Sequence, residues 1–565
     1  MKKAILSFAV LSLAAATILL AADFVPATAG CWMAHCDNQG TAAIGVIPPL
    51  SGITTIFHDT SVNGGVGGDL GCSSNNGVVA CSYNISGAAN VYEYSAAGNV
   101  VFSSSLLDRQ ATHCTPMIGE DGGIITCDDT QMVRLDPTGN TLWDTCFYGG
   151  TAPACQCSNG STTRPCPGNN HPINFVQLSD GSIALVNDGS PGFGGALFQL
   201  NSSTGAIIAG PLYLDQSGSD SYTADKTPCV NGTTIFDITS FSSNPALGRM
   251  YSVTFNGDGT ITTNWSSNIT GPSGSSALCL NNASPPEVIA DSGDPGLYGW
   301  NQSTGAVIFD CLPSGGSGCT APSGPLQVHM VPDPRGGFWW FTTVANQLNR
   351  YSITTGASLQ TIATSTLVPG ESHPTFPTSD MTMTTDNSGN NVMLVSLQSR
   401  AGSGGGSYIT ALNLNAGTLI WSWTLAANSS TNNDYGQMAV VTGGTLPFVV
   451  VPNATSGVYF IGSSNFPDIS YALGSSSALV GSAAGSGAVL LSANGPWTAS
   501  SNASWLQIAP GSTNGVGSAL VQFSYGVNSN PDGQTGTLTI AGLTFTLTQA
   551  GAGFVAATPV TELAS

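Results

Sequence analysis

Four of the six histidines stand at or shortly before the start of a predicted β-strand. If those strands lined one channel, their imidazoles would converge, and imidazole serves as a metal ligand and as a general acid or base near neutral pH. The alternative, which we favour, is that each histidine caps its strand or hydrogen-bonds a loop. The candidates are His113, His171, His329 and His373.

Two disulfides follow from hairpin geometry among the fourteen cysteines. Asn76-Gly77 is a strong signal for a two-residue type I′ hairpin turn, which places Cys72 opposite Cys81. A two-residue turn at the centre of CTPMIGEDGGIITC likewise places Cys114 opposite Cys127. Directly opposed strand residues lie within the Cα distance that a disulfide tolerates.

Proximity along the chain predicts two further disulfides, Cys31–Cys36 and Cys311–Cys319. The sequence CQC at 155–157 could instead bind a metal, but no second pair stands at zinc-ligand spacing, so disulfides are favoured. The residues alone do not assign partners to the remaining cysteines, which are Cys146, Cys155, Cys157, Cys166, Cys229 and Cys279.

The first 29 residues are predicted to be a secretory signal peptide, with a basic start, an apolar run and a small-residue cleavage site after Ala29. Cys31 raises the question of a lipid anchor, but Thr28 stands where an aliphatic residue is required, so the anchor is disfavoured. Later apolar stretches are too short for a transmembrane segment. We therefore expect an exported protein, either extracellular, periplasmic or at the cell surface, where disulfides are permitted.

The charge balance excludes one class of partner. Only 7% of residues are charged, and 31 acidic residues face 10 basic ones, giving a formal net charge of −21. Nucleic acid needs clustered Lys and Arg, so it is not expected as a partner, and an anionic membrane surface is disfavoured for the same reason. With 41% hydrophobic residues the chain is not of the disordered type. Its length predicts more than one domain.

A hairpin with a glycine at its turn recurs seven times, as in MVRLDPTGNTLWDT (132–145). Its first strand alternates apolar and polar residues, and glycine readily adopts the left-handed conformation that closes such a turn. A second hairpin precedes most copies. The repeat is therefore a four-stranded unit of about 40–50 residues, the period of a propeller blade. The turn glycines are Gly98, Gly139, Gly205, Gly259, Gly305, Gly356 and Gly417.

The form of Asp136-Pro137-Thr138-Gly139, followed by Trp143, resembles the repeat of pyrroloquinoline-quinone-like β-propellers. The resemblance covers about residues 41–462 and implies an all-β ring. Seven copies and a trailing piece at 436–462 favour eight blades, with seven as the alternative. An N-terminal strand such as ITTIFHD would complete the last blade, and the Cys-rich segment 146–170 would be an insertion between blades two and three.

The resemblance in fold does not imply a bound quinone cofactor. Quinoprotein dehydrogenases of this shape have adjacent cysteines and a basic residue on the quinone, whereas this sequence has no Cys-Cys dipeptide and few basic residues, so PQQ is not expected. Calcium is possible at acidic turns such as Asn256-Gly257-Asp258-Gly259. The resemblance assigns inter-blade packing to Trp143, Trp265 and Trp423.

The C-terminal part differs from the repeats. The pattern W-T-A-x-S-x-x-x-W, then G-T-L-T-I-A-G, then T-Q-A-G resembles the BACON domain, an immunoglobulin-like β-sandwich whose name reflects suspected carbohydrate binding. We expect this domain over 466–551, followed by a tail at 552–565. Trp497 and Trp505 are candidate glycan-stacking residues. Their alternation favours a place in the core instead.

Two functions remain open from the sequence. The first is a secreted or cell-envelope, non-catalytic binding protein, which would recognise an extracellular glycan or protein through propeller loops and the C-terminal domain. The second is a propeller enzyme with a histidine-containing central funnel, of the hydrolase, sulfotransferase-like or quinoprotein type. Convergence of the candidate histidines would favour the enzyme, and their dispersal would favour the binding protein.

Overall fold

The computed structural model describes a large part of the chain between residues 47 and 552. The described ranges are 47–60, 71–75, 77–82, 91–95, 99–104, 114–128, 131–147, 170–189, 196–214, 222–223, 227–241, 247–270, 276–292, 296–312, 319–320, 330–333, 335–342, 347–363, 367–369, 375–377, 381–386, 388–399, 406–426, 438–441, 447–453, 457–463, 471–493, 496–509, 511–516 and 519–552.

The first 35 strands form eight sheets, which are the blades of a propeller and confirm the favoured blade number. Blade 1 contains β2 (Cys72–Ser74), β3 (Val78–Ser82), β4 (Val91–Ser95) and β5 (Val100–Ser104). Blade 2 contains β6 (Met117–Ile118), β7 (Ile124–Cys127), β8 (Gln131–Leu135) and β9 (Thr141–Cys146). Blade 3 contains β10 (Asn170–Gln177), β11 (Ile183–Gly189), β12 (Ala196–Leu200) and β13 (Ile207–Tyr213). Blade 4 contains β14 (Tyr222–Thr223), β15 (Cys229–Asn231), β16 (Thr234–Phe241), β17 (Leu247–Phe255) and β18 (Ile261–Thr270).

Blade 5 contains β19 (Leu278–Leu280), β20 (Glu287–Ser292), β21 (Gly296–Asn301), β22 (Val307–Leu312) and β23 (Cys319–Thr320). Blade 6 contains β24 (Val331–Pro332), β25 (Phe338–Thr342), β26 (Gln347–Tyr351) and β27 (Ser358–Ala363). Blade 7 contains β28 (Thr375–Pro377), β29 (Thr382–Thr385), β30 (Asn391–Ser399), β31 (Ser407–Asn413) and β32 (Thr418–Ala426). Blade 8 contains β33 (Ala439–Val441), β34 (Phe448–Asn453), β35 (Gly457–Ser463) and β1 (Ile53–Asp59).

The N-terminal strand closes the ring. β1 is the segment ITTIFHD, and it pairs antiparallel with β35 as the outermost strand of blade 8. Across the closing seam, the Tyr94 hydroxyl of blade 1 donates to the Asp59 carboxylate at 3.0 Å. At the inner edge, the Ser74 hydroxyl donates to the Val440 carbonyl at 2.9 Å. The two ends of the propeller sequence therefore hold one another in place.

The hairpin glycines adopt the predicted conformation. In blade 2 the amide of Gly139 donates to the Asp136 carbonyl, and Gly139 has a φ of 85°. In blade 3 the amide of Gly205 donates to the Asn201 carbonyl, and its φ is 70°. The repeat glycines of blades 4 to 7 also have positive φ, whereas Gly98 lies outside the described residues.

The turns at Gly139, Gly205, Gly305 and Gly417 each receive a side chain from the preceding blade. A bulge interrupts the outermost strand, and the residue after the bulge reaches across the seam. Trp143 of blade 2 covers Gly205 of blade 3, and its indole N–H donates to the Ser202 carbonyl at 3.0 Å. Trp265 of blade 4 likewise donates to the Gln302 carbonyl of blade 5 at 2.8 Å.

Blade 7 has two tryptophans at the seam with blade 8. Trp423 packs there as predicted, and its indole donates to the Thr55 hydroxyl of β1 at 3.1 Å. Trp421, which was not predicted, stands four residues after Gly417, as Trp143 does after Gly139, and its indole donates to the Pro49 carbonyl at 2.7 Å beside the closing strand.

Blade 6 has Gln360 where an indole would be expected, and an arginine replaces the missing donor. Arg335 reaches from its own blade and donates to the Leu414 carbonyl of blade 7 at 2.7 Å. Asp333 holds this guanidinium, with Nη2 2.6 Å from Oδ2, and also accepts the Trp339 indole N–H at 2.7 Å. The Arg335 guanidinium holds the pKa of the buried Asp333 carboxyl below its usual range, although burial opposes this effect.

Disulfides reinforce the inner strands. Cys72–Cys81 is confirmed, and its residues are register partners with a Cα separation of 4.1 Å. Cys114–Cys127 is also confirmed. The predicted register of that hairpin was wrong by one residue, because Met117 pairs with Ile125 through a three-residue turn closed by Gly122 rather than a two-residue turn.

A third disulfide, Cys229–Cys279, links the inner strands of blades 4 and 5 at a Cα separation of 5.6 Å. Cys311 and Cys146 are also disulfide-bonded, and Cys319 is the backbone register partner of Cys311. The remaining cysteines lie outside the described residues, as do the signal peptide and most of the segment 146–170. They are Cys31, Cys36, Cys155, Cys157 and Cys166.

The last nine strands form a two-sheet sandwich. One sheet has the order β36 (Tyr471–Leu473), β38 (Gly485–Ala493), β42 (Ala519–Tyr525) and β40 (Leu506–Ile508). The other has the order β37 (Ser477–Val480), β44 (Leu543–Gln549), β43 (Gln534–Ile540), β39 (Pro496–Ser501) and β41 (Asn514–Val516). Inward-facing residues of both sheets, including Leu491, Phe523, Leu538 and Phe545, form its core. Across the described ranges, no helix could cross a membrane.

We predict that Gly205→Ala destabilises the propeller more than Gly389→Ala. Both glycines have positive φ, so both substitutions introduce backbone strain of about 1–2 kcal/mol. A Cβ at Gly205 would also lie 2.5 Å from the Trp143 ring, whereas the space at Gly389 is open. Overpacking adds about 1–3 kcal/mol, so thermal unfolding midpoints should fall further for Gly205→Ala. Equal shifts would contradict the packing role of this seam.

A second prediction concerns Arg335. Arg335→Ala should lower the thermal unfolding midpoint, because the Leu414 carbonyl loses its donor and buried Asp333 loses its main counter-charge. Adding Gln360→Trp should restore part of the loss, since an indole at this position donates to the equivalent carbonyl in blades 3 and 5. Gln360→Trp alone is the control and should give no gain. A double variant no more stable than Arg335→Ala would reject the replacement.

Candidate functional site

The two faces of the ring differ in their connections. Within each blade, the first and second strands, and the third and fourth, are joined by two to six residues, for example 119–123 between β6 and β7. We call this side the turn face. Connections from one blade to the next leave the opposite side, the loop face, and are longer. The span from Cys146 to Asn170 is the longest, with 23 intervening residues.

The loop face is the natural place for recognition. Antiparallel strands return the chain to the same side after every second strand, so seven to 23 residues accumulate there at each blade junction. Loops held by a rigid scaffold commonly carry binding residues, whereas the tight turns of the other face are committed to the seams.

Of the candidate histidines, only His171 lies within the described residues, and only its backbone position is established. It stands in the first strand of blade 3, where its register partner is Asp188. Both backbone positions lie towards the loop-face end of blade 3, because β10 begins at Asn170 and β11 ends at Gly189. His113, His329 and His373 lie outside the described residues, so convergence of the four side chains remains a prediction.

The described part of the chain brings together no group of three or more His, Cys, Asp or Glu side chains that would hold a metal ion. At the turn considered for calcium, the Asp258 carboxylate accepts bonds from the Thr260 amide at 3.0 Å and the Thr260 hydroxyl at 2.6 Å. These bonds lower the pKa of Asp258. The carboxylate is thus engaged within its own turn.

Two buried glutamates are the most perturbed acids among the described groups. Burial raises the pKa of Glu93 to about 8, and the nearby Asp121 charge adds to the increase. Burial alone raises the pKa of Glu287 to about 7. They lie in blades 1 and 5, too far apart along the ring to act as an acid–base pair. No sequence pattern identifies either glutamate, because burial within the fold is a tertiary property.

The ring of His58 stacks on Tyr459 at a centroid distance of 3.9 Å in the outer part of blade 8. His58 was not among the candidates for catalysis, and this placement assigns it a packing role in the closing strand. Its neighbour Asp59 is the acceptor of the Tyr94 hydroxyl. These contacts belong to ring closure.

Comparison with known proteins supports the two-part architecture. Residues 471–552 match the family model described as the viral BACON domain. The C-terminal sandwich is a BACON-type domain. No curated protein sequence matches the chain.

Among solved structures, the chain resembles a quinohemoprotein alcohol dehydrogenase from Comamonas testosteroni, with a TM-score of 0.53 and 10% identity over 77% of this chain and 80% of that one. It also resembles a europium-containing methanol dehydrogenase, with a TM-score of 0.52 and 11% identity over 76% of this chain and 90% of that one. At such identities the likeness shows the propeller fold alone.

The two tryptophans of the BACON-type domain differ in burial. Trp497 is only 6% exposed and belongs to the core between the two sheets, which is the place that its alternation favoured. Trp505 is half-buried against the same core and covers Gly536. Stacking of either ring on a sugar remains a prediction.

We predict that Glu93→Gln stabilises the propeller increasingly as the pH rises. The folded-state pKa of Glu93 is raised above its ordinary value, so the folded protein binds the proton more tightly and loses stability between about pH 4.5 and pH 8. A neutral glutamine removes that loss. The difference in thermal unfolding midpoint between Glu93→Gln and the parent should be smallest near pH 4.5 and largest at pH 8–9.

The control for this prediction is Glu120→Gln, at an exposed turn position of blade 2, which changes the net charge by the same unit. It should give no comparable pH-dependent difference. If the difference in thermal unfolding midpoint between Glu93→Gln and the parent were constant from pH 4.5 to pH 9, Glu93 would not be the group that binds a proton in the folded state over this range.

Proposed function

We propose that the protein is an exported, non-catalytic binding protein that recognises an extracellular glycan or protein through the loop face of the propeller. The observation that carries the proposal is the asymmetry of the ring. Every connection longer than six residues within the propeller leaves the strands at the loop face, and the turn face contains only tight turns.

The disulfides support this role. Cys229–Cys279 joins inner strands of neighbouring blades, and Cys72–Cys81 and Cys114–Cys127 reinforce the inner edges of blades 1 and 2. A scaffold fixed in this way presents its loops with little ordering cost on binding. Disulfides also fit export to an oxidising compartment, as the N-terminal signal predicts.

The net charge of −21 restricts the ligand. A chain with this net charge repels acidic polymers, attracts basic partners and is indifferent to uncharged ones. Neutral glycans and proteins with basic surfaces therefore fit better than sulfated or phosphorylated polymers.

An enzyme with a histidine-containing funnel is the second candidate. One observation favours it, the cross-strand placement of His171 and Asp188 on the first two strands of blade 3. Histidine and aspartate are residue types that commonly act together in metal ligation and proton transfer.

The test uses the full secreted chain on an array of neutral and acidic glycans. Three cysteine-free segments of the loop face, 105–113, 369–374 and 427–437, are each replaced by Gly-Ser segments of equal length, and the buried Leu367 and Val368 are kept. Matched controls are Ser203→Gly with Thr204→Ser, and Ser303→Gly with Thr304→Ser, on the turn face. We expect at least one loop-face variant to lose tenfold or more in binding to neutral glycans, while the controls change less than twofold.

Binding that survives every loop-face replacement, or that falls equally in the controls, would contradict the proposal. Metal analysis of the same preparations tests the second candidate. A stoichiometric metal ion that is lost in His171→Ala would favour the enzyme over the binding protein.

A further inference from the structure

The outer face of one sandwich sheet contains no charge. The exposed side chains of β38 and β42 alternate with core residues and lie opposite one another in register, as Ser486 with Ser524, Ala488 with Gln522, and Leu490 with Leu520. The flanking strands add Ala472, opposite Ser492, and Gln507, opposite Ser524. We call this grid the neutral face.

Two leucines give the neutral face an apolar centre. Leu490 and Leu520 are each 57% exposed and stand side by side on adjacent strands. Gly474 follows directly after β36 and lies beside Leu490, where an added Cβ would lie 3.1 Å from the Cβ of Leu490. The surrounding side chains are small, so a flat partner can approach both leucines closely.

The charge distribution identifies the partner that this face fits. The chain has a formal net charge of −21, yet the only charged residue between 471 and 552 is Asp532, in the loop between β42 and β43. Two copies of such an acidic chain repel one another wherever their propellers approach. The repulsion between two copies is weakest where their neutral faces meet. A surface without charges can therefore bind this face.

We propose that a second copy of this chain docks on the neutral face, sheet against sheet, around a two-fold axis. The face is self-complementary in the sense that a two-fold interface requires, because its leucine pair can pack on the Ala488 and Gln522 row of the partner copy. Stacked sheets approach to about 10 Å, which suits side chains of this size.

The area of the neutral face limits the affinity of the dimer. Four strands at about 4.8 Å spacing and seven residues at about 3.3 Å per residue give roughly 20 Å in each direction. The buried area is therefore about 400 Å² per copy, half of what a standard interface uses. The dimer is accordingly weak and depends on concentration, with a dissociation constant in the micromolar range or above.

The test is sedimentation velocity of the full secreted chain from about 1 to 500 μM, in 20 mM and 500 mM NaCl. We expect the weight-average mass to rise towards that of a dimer with concentration, and to rise no less at high salt, because salt screens the repulsion between acidic propellers. Leu490→Glu and Leu520→Glu should each shift the dissociation constant by tenfold or more.

The matched control is Leu479→Glu, which introduces the same charge at a leucine that is 72% exposed on β37 of the other sheet. It should leave the dimer unchanged. The Leu→Glu substitutions lie on exposed positions, so circular dichroism should confirm folding. A chain that is monomeric at every concentration would overturn the proposal, as would a dimer that Leu479→Glu weakens and Leu490→Glu does not.

Discussion

The ring depends on contacts between neighbouring blades in which a turn closed by glycine receives a side chain from the outer strand of the preceding blade. The absence of a Cβ lets the Trp143 ring lie against Gly205 and the Trp265 ring against Gly305. The indole N–H then satisfies a turn carbonyl. Where blade 6 lacks the indole, Arg335 donates to the equivalent carbonyl, so this buried carbonyl again has a hydrogen-bond partner.

This constraint explains why the two faces differ. Turns that must fit against the neighbouring blade cannot lengthen without breaking the seam, so insertions accumulate where the chain passes from one blade to the next. The two domains also differ in charge. The propeller carries nearly all the charge, whereas the BACON-type domain carries one charged residue and a core that encloses Trp497.

The sequence alone predicted the propeller, its eight blades and the closing strand, because glycine turns and alternating strands are local signals. It was incomplete where local spacing was ambiguous. Trp423 was predicted at the seam between blades 7 and 8 but Trp421 was not, although spacings of four and six residues after the turn glycine both occur in other blades, as Trp143 and Trp265 show. Cys229–Cys279 was not predicted because it joins strands fifty residues apart whose adjacency is known only once the blades are in place. The candidate histidines could be located along the chain, but their mutual distances depend on loops that sequence patterns do not fix.

Native-state hydrogen exchange measured by mass spectrometry tests the closed ring most directly. If the seams unite the blades, the slowest amides of all eight sheets, including β1 and β35, exchange with one common free energy of opening. Blades that exchange at separate levels, or a β1 segment that exchanges freely while β34 and β35 stay protected, would contradict the account.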